Sequence, residues 1–277
     1  MLTNATRIAE VVRTDAHEGP VYVSGEHALY FTTKGGAVKR LDLGSARVDD
    51  VPADVVRANG MTLDHDGSLL ICQQGSFDAP AAIRRYRDGV TETVVDSWRG
   101  LPLNSPNDVV VKTDGTIWFT DPSYGFLQGF RPEPQLGDYV YRYDPRSGEL
   151  GPVADAFDKP NGLAFSPDEL VLYVGDSEGP HHILAFDVLD GRRLDAPRLF
   201  AVISPGYPDG IKVDAEGRVY SSSASGVQVF TPLGELLGEI ELPGAVHFAF
   251  GEHDDLFITA DDAIWRKELH PWFAHAE

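Results

Sequence analysis

Short apolar runs, dense in Val, Ile, Leu and aromatic residues, alternate along the whole chain with turns marked by Gly, Pro, Asp and Asn. The order is clearest after Pro106-Asn107-Asp108. There VVVK, a turn at Thr113-Asp114-Gly115, IWFTD, a longer excursion to YVYRYD, a turn at DPRSGE and LGPVAD follow one another. Four β-rich runs joined by turn signals predict one antiparallel meander. The same order returns from MTLD to TETVVD, from NGLAFS to PRLFAV and from DGIKVD to LLGEIEL. A polar residue heads each unit: Glu18, Asn59, Asn107, Asn161, Asp209 and His247. Their successive separations of 41, 48, 54, 48 and 38 residues are those of a radial array of four-stranded blades.

The predicted fold is therefore all-β, a six-bladed β-propeller of four-stranded antiparallel blades, with residues 1–277 forming a single domain. The last unit, HFAFG, DLFITA and AIWRKEL, is one strand short. Residues 6–13, TRIAEVVR, are predicted to complete it by pairing with residues 263–269, which hides two sheet edges. No stretch carries sustained helical periodicity. The longest irregular insertion, SYGFLQGFRPEPQLGD at residues 123–138, is expected to arch over one face, where functional loops collect.

Hydrophobic residues make up 42% of the chain, enough to fill such a core, while 28 Gly and 19 Pro supply its turns. A net charge of −20 argues against nucleic acid or an anionic membrane surface as partner. Cys72 is the only cysteine, so an internal disulfide and a cysteine metal site are both excluded. No apolar leader flanked by basic residues and no apolar run of bilayer length occurs, and the expected location is the cytoplasm.

In an antiparallel blade the start of the first strand lies beside the end of the second. The second strands are read to end at Gln73-Gln74, Asp121, Gly175-Asp176, Ser222-Ser223 and Asp261-Asp262. Two polar rings are thus expected at one mouth of the central channel. An isolated Asn-Gly or Asp-Gly is an ordinary turn dipeptide. Recurrence at the same place in successive units, together with Glu18, points instead to ligation. Oxygen donors from Glu18, Asn107, Asn161 and Asp209 suit one divalent cation, Ca²⁺ foremost, with Mg²⁺, Mn²⁺, Zn²⁺ and Fe²⁺ as alternatives; such an ion neutralises the two carboxylates. His17, His247 and His181-His182 lack HExxH spacing and are read as solvated or core residues. Ser221–Ser223 lack a GxSxG elbow, and Gly35-Gly36 carries no phosphate-loop pattern.

HEGPVY, NSPNDVVVKTDGTIWFTDPSYG, KPNGLAFSPDELVLYVGDS, YPDGIKVDAEGRVY and FITADDAIWRKEL together resemble the family of senescence marker protein, gluconolactonase and luciferin-regenerating enzyme, most of all its bacterial gluconolactonase-like branch. The resemblance runs from about Glu18 to Leu269. It implies a six-bladed propeller with a catalytic divalent cation near the channel mouth. The family's glutamate ligand matches Glu18, its PNG asparagine Asn161 and its PDG aspartate Asp209. The PND asparagine, Asn107, binds metal or substrate depending on the subfamily. The animal branch's substrate-binding arginine is replaced here by Ser105, and its acidic pocket residue falls near Gly125. Ser105 is kept as a substrate-binding position, and Asn59, Gln74, Asp121 and Tyr124 are further candidates from geometry.

The activity so implied is opening of a small sugar lactone to the aldonate, with the cation polarising the carbonyl and Asp209 as general base to the attacking water, metal-bound hydroxide being the competing source of the nucleophile. Hydrolysis of a phosphotriester or fluorophosphate at the same site is the alternative. A non-catalytic binding propeller is the third reading.

Overall fold

The computed structural model describes residues 8–179 and 181–269. Among the described residues six antiparallel blades follow one another along the chain, with a short two-stranded pair, Ser97–Trp98 and Leu101–Pro102, in the link between the second and third. In blade 1 the strands are Ala16–Val23, Ala28–Thr33, Val38–Asp42 and Arg47–Asp50, and blades 2 to 5 begin at Ala58, Val109, Pro160 and Ile211 with the same inner-to-outer order. Blade 6 holds His247–Phe250, Asp255–Thr259 and Ala263–Glu268, and its outermost strand is Ala9–Arg13. Glu10 pairs with Trp265 and Arg13 with Ala263, so the first described strand closes the ring as its sequence predicts. Residues 6 and 7 of that predicted strand lie outside the described residues. Among the described residues no helix is long and apolar enough to cross a membrane.

The core lies between blades rather than within any one of them. Each of six buried apolar clusters joins two neighbours; for instance, Leu70, Cys72 and Ile83 of blade 2 meet Val109, Phe119 and Tyr141 of blade 3. Another joins Leu29 and Phe31 of blade 1 to Phe257 and Ile264 of blade 6. A strand with a blade packed on both faces has no solvent side, which is why IWFTD and LLICQ are buried at every position rather than alternately.

Around the axis each blade is tied to the next by a hydrogen bond from its first or second strand, or the residue leading into it, to the start of the next blade. The donors and acceptors are Thr32 Oγ1 to Asn59 O, Gly60 N to Asn107 O, Thr120 Oγ1 to Asn161 O, Gly162 N to Asp209 O, Gly210 N to Val246 O, and Thr259 Oγ1 to His17 O. Four of the polar heads, Asn59, Asn107, Asn161 and Asp209, therefore have a backbone task as well as whatever their side chains do, while His17 and Val246 fill it beside Glu18 and His247. The Asn-Gly pairs are not turns. Asn59-Gly60 and Asn161-Gly162 sit inside the first strand at irregularities in its register, between Ala58 and Met61 and between Pro160 and Leu163. A bulge lets the strand turn one side chain toward the axis without leaving the sheet. Glycine follows because the strands nearly touch: a Cβ on Gly60 would collide with the Asn107 carbonyl, and one on Gly162 with that of Asp209.

Candidate active site

One mouth of the channel opens into a cavity of about 640 Å³ lined by Glu18, Asn59, Gln74, Asn107, Tyr124, Asn161 and Asp209, with His17, Lys34, Arg57 and His181 among its other walls. Seven of the nine sequence-predicted site residues thus share one surface. A depression of comparable size, about 700 Å³, lies among Arg142, Glu149 and Arg193 on the outside of the ring and holds none of them.

Glu18, Asn107 and Asn161 are only 3%, 6% and 5% exposed, whereas Asp209 is partly open to the cavity. Glu18 Oε2 accepts the N–H of Gly19 at 3.0 Å, which fixes one oxygen. Burial pushes the Glu18 carboxyl well above the usual carboxylate range, and the neighbouring Asp209 and Asp108 carboxylates push it further. Burial raises Asp209 too, opposed by its hydrogen bond to Glu18 and by His17 and His247. Two acids at hydrogen-bonding range with too little compensation are a place where a cation is stabilised.

The carboxamides meet the same need. Asn161 spends its Nδ2 on Ser177 Oγ at 2.9 Å, and Ser177 in turn donates to Pro208 O at 2.6 Å, so the amide is held by its nitrogen and its oxygen is left as an acceptor. Asn107 Oδ1 is buried with no hydrogen-bond partner. A buried oxygen left without a donor is costly unless something else fills that role. Among the described residues no group of three or more His, Cys, Asp or Glu is arranged to hold a metal; the donor set here is two carboxylates and two carboxamides. An all-oxygen set with one orphaned carbonyl fits a hard divalent cation.

Tyr124, on the single helical turn Tyr124–Leu127, projects into the cavity from the 123–138 loop. Burial pushes its hydroxyl up, so it keeps its proton, and it lies within hydrogen-bonding reach of Ser177 and Asn161. Arg131 holds the loop down by donating to four carbonyls, those of Ser76, Ala79, Leu103 and Asn104. Asn59 contributes a second partnerless carbonyl oxygen.

Ser105 and Asp121 lie behind the site. Both are wholly buried, and neither reaches the cavity. Asp121 accepts the backbone N–H groups of Asn104 and Ser105, each at 2.9 Å, and Ser105 Oγ bridges Pro122 O and Gly125 N. Together they fix the segment that leads to Asn107. Burial raises Asp121 to about 7, against those two donors. Asp121→Asn is expected to cost about 2 kcal/mol, because an amide NH₂ would face a backbone N–H, and to lower the melting temperature by roughly 4–8 °C. Loss of lactone turnover at unchanged melting temperature would return Asp121 to the substrate-binding set.

Other residues fall where their spacing did not indicate. His247, head of the sixth repeat, is buried off the cavity with Nε2 at 3.4 Å from Asp108 Oδ2. Asp108 occupies the position filled by glycine in four other repeats, the one signal that its carboxylate enters the axis. Asp261 and Asp262 follow the end of their strand at Thr259, and Asp261 pairs with His17 and Lys34. His17 and His181 line the cavity rather than standing in solvent or core. Ser177, one residue past its strand's polar end, was not singled out by periodicity.

Residues 16–262 match the SMP-30/Gluconolactonase/LRE-like region. The gluconolactonase of Zymomonas mobilis is 32% identical over 93% of this chain and 80% of its own length. The 6-deoxy-6-sulfogluconolactonase of Pseudomonas putida is 40% identical over 92% of this chain and 87% of its own. The solved structure of a gluconolactonase from Xanthomonas campestris superposes with a TM-score of 0.86 at 38% identity, covering 94% of this chain and 88% of that one. With this fold, this cavity and these relatives, the chain belongs to the SMP-30/gluconolactonase/LRE-like family.

Proposed function

We propose that the protein is a sugar-lactone hydrolase that works with one divalent cation, Ca²⁺ foremost, held by Glu18, Asn107, Asn161 and Asp209. The observation that carries the reading is the partnerless Asn107 oxygen beside two like-charged carboxyls at the floor of an open cavity, in a chain whose relatives are lactonases. When bound, the ion supplies Lewis-acid polarisation of an ester carbonyl.

The chain's own residues do the rest. Asp209, the most open of the four oxygen donors, takes the proton of the attacking water. Tyr124, protonated at any working pH, donates to a substrate oxygen. The partnerless side-chain Oδ1 of Asn59 accepts a sugar hydroxyl, and Gln74 offers a second amide in the same cavity. No side chain is required as nucleophile.

Dialysis against a chelator is expected to reduce hydrolysis of glucono-1,5-lactone to about a tenth or less, and Ca²⁺ to restore it. Saturating ion should also raise the melting temperature, since a ligand at about 100 times its Kd contributes about 2.7 kcal/mol. Full turnover by protein shown to be metal-free defeats the metal reading. A kcat/KM higher for paraoxon than for any lactone would replace the lactone by a phosphotriester. Bound metal with no turnover on either would leave a binding propeller.

A further inference from the structure

Among the cations lining the cavity, Lys34 and His17 are already engaged, both with Asp261, at 2.6 and 2.7 Å. Arg57 is not. It lines the same cavity, yet among the described residues no carboxylate pairs with its guanidinium and no acceptor takes its N–H groups. Its only contact of note is a ring: the guanidinium carbon sits 4.2 Å from the centroid of Phe130. Phe130 belongs to the loop that also brings Tyr124 into the cavity, and Arg131 anchors that loop. A cation laid on an aromatic face is oriented while its donors stay free.

The backbone underlines the placement. Arg57 has φ 57°, a left-handed conformation that favours glycine or asparagine and costs a long side chain about 1 kcal/mol or more. Hydrogen bonds from both sides hold it there: Gln74 N donates to Arg57 O, and Ala58 N to Gly36 O. Asn59, two residues on, turns toward the axis. Arg57 thus stands at the rim of the cavity whose floor holds Glu18 and Asp209. In a protein of net charge −20, an anion gains nothing from the overall field and needs a local cation. The planar guanidinium fork matches an oxyanion bidentately, be it carboxylate, sulfonate or phosphate.

We infer that Arg57 is a specificity residue that binds an anionic group at the non-reacting end of the lactone, so that the preferred substrates are acidic sugar lactones rather than neutral ones. This rests on the lactonase reading of the cavity. The test compares glucono-1,5-lactone with D-glucaro-1,4-lactone and 6-phosphoglucono-1,5-lactone in the holoenzyme. The parent should favour at least one acidic lactone, and Arg57→Ala should lower the acidic-to-neutral ratio of kcat/KM by about tenfold or more, mainly through KM. Arg57→Lys, which keeps charge but loses the fork, should fall between. The two acidic substrates separate a carboxylate from a phosphate preference. In a second arm, calorimetry with glucarate and gluconate should show tighter binding of the dianion in the parent and loss of that preference in Arg57→Ala. An unchanged ratio in the variant, or a parent that prefers the neutral lactone and binds the two acids alike, overturns the inference. If no lactone is turned over, the lactonase reading fails while the calorimetric arm still decides on Arg57.

Discussion

Asp209→Asn is expected to lower kcat/KM for sugar-lactone hydrolysis by about a thousandfold or more, while the metal-free protein melts no lower than the parent. The two halves of that result have separate causes. What Asp209 contributes to the fold is backbone: its carbonyl accepts Gly162 N–H at 3.0 Å and its own N–H donates to Ser222 Oγ at 3.1 Å. Neither bond involves the side chain. What the side chain contributes is charge beside Glu18, in a setting where burial already disfavours both carboxylates. Asparagine keeps the shape and one oxygen but removes that repulsion, so the empty site should gain up to about 1 kcal/mol. The same change removes the proton acceptor and half of the negative charge available to a cation. Stability rising as activity disappears is a signature that a merely structural residue would not give. Glu18→Gln should move both readouts the same way, and the double variant should lose little more activity than either single one, because the residues act as a unit. Turnover within threefold of the parent in Asp209→Asn, measured alongside its melting curve, would remove Asp209 from the chemistry.

How much of this was legible in the sequence follows from which forces act locally. The blades were, because hairpin turns and apolar strands are local patterns repeated six times. Closure by Ala9–Arg13 was legible as well, since a repeat lacking one strand leaves a single place for an unclaimed one. Glu18, Asn107, Asn161 and Asp209 could be placed at one mouth because their position within the repeat is the same. Other features depend on contacts between repeats, which no local pattern encodes. Gly60 and Gly162 resembled turn glycines, yet they answer to the approach of a neighbouring blade's carbonyl. Asp121 ends a strand that should face the cavity, and Ser105 stands two residues before Asn107, but the 104–105 segment folds over Asp121 and takes up its oxygens. Arg57 lies in the link between blades 1 and 2, where no strand period assigns a direction to a side chain. Asp108 was visible only as an exception to a glycine rule.

The effect of Gly162→Ala tests whether fold and site rest on the same contact. A Cβ there would collide with the carbonyl oxygen of Asp209 and come within 2.8 Å of Ile211 N. Both neighbours are backbone, so no side chain can swing aside, and relief requires the inner strands of blades 4 and 5 to separate. That separation breaks the Gly162 to Asp209 hydrogen bond, one of the six that close the ring. The expected cost is about 3 kcal/mol, or roughly 6–12 °C of melting temperature. Asn161 precedes Gly162 and Asp209 carries the struck carbonyl, so two of the four oxygen donors move with the backbone. Metal affinity should therefore fall along with stability. Gly151→Ala is the control: its site in an outer strand has nothing within 4 Å of the added methyl, and it should stay within about 0.5 kcal/mol of the parent. If Gly162→Ala melts with the parent, the strands have slack and the glycine needs another explanation. If it melts lower but binds Ca²⁺ as the parent does, the donors are positioned independently of the ring, and the bulges alone aim them.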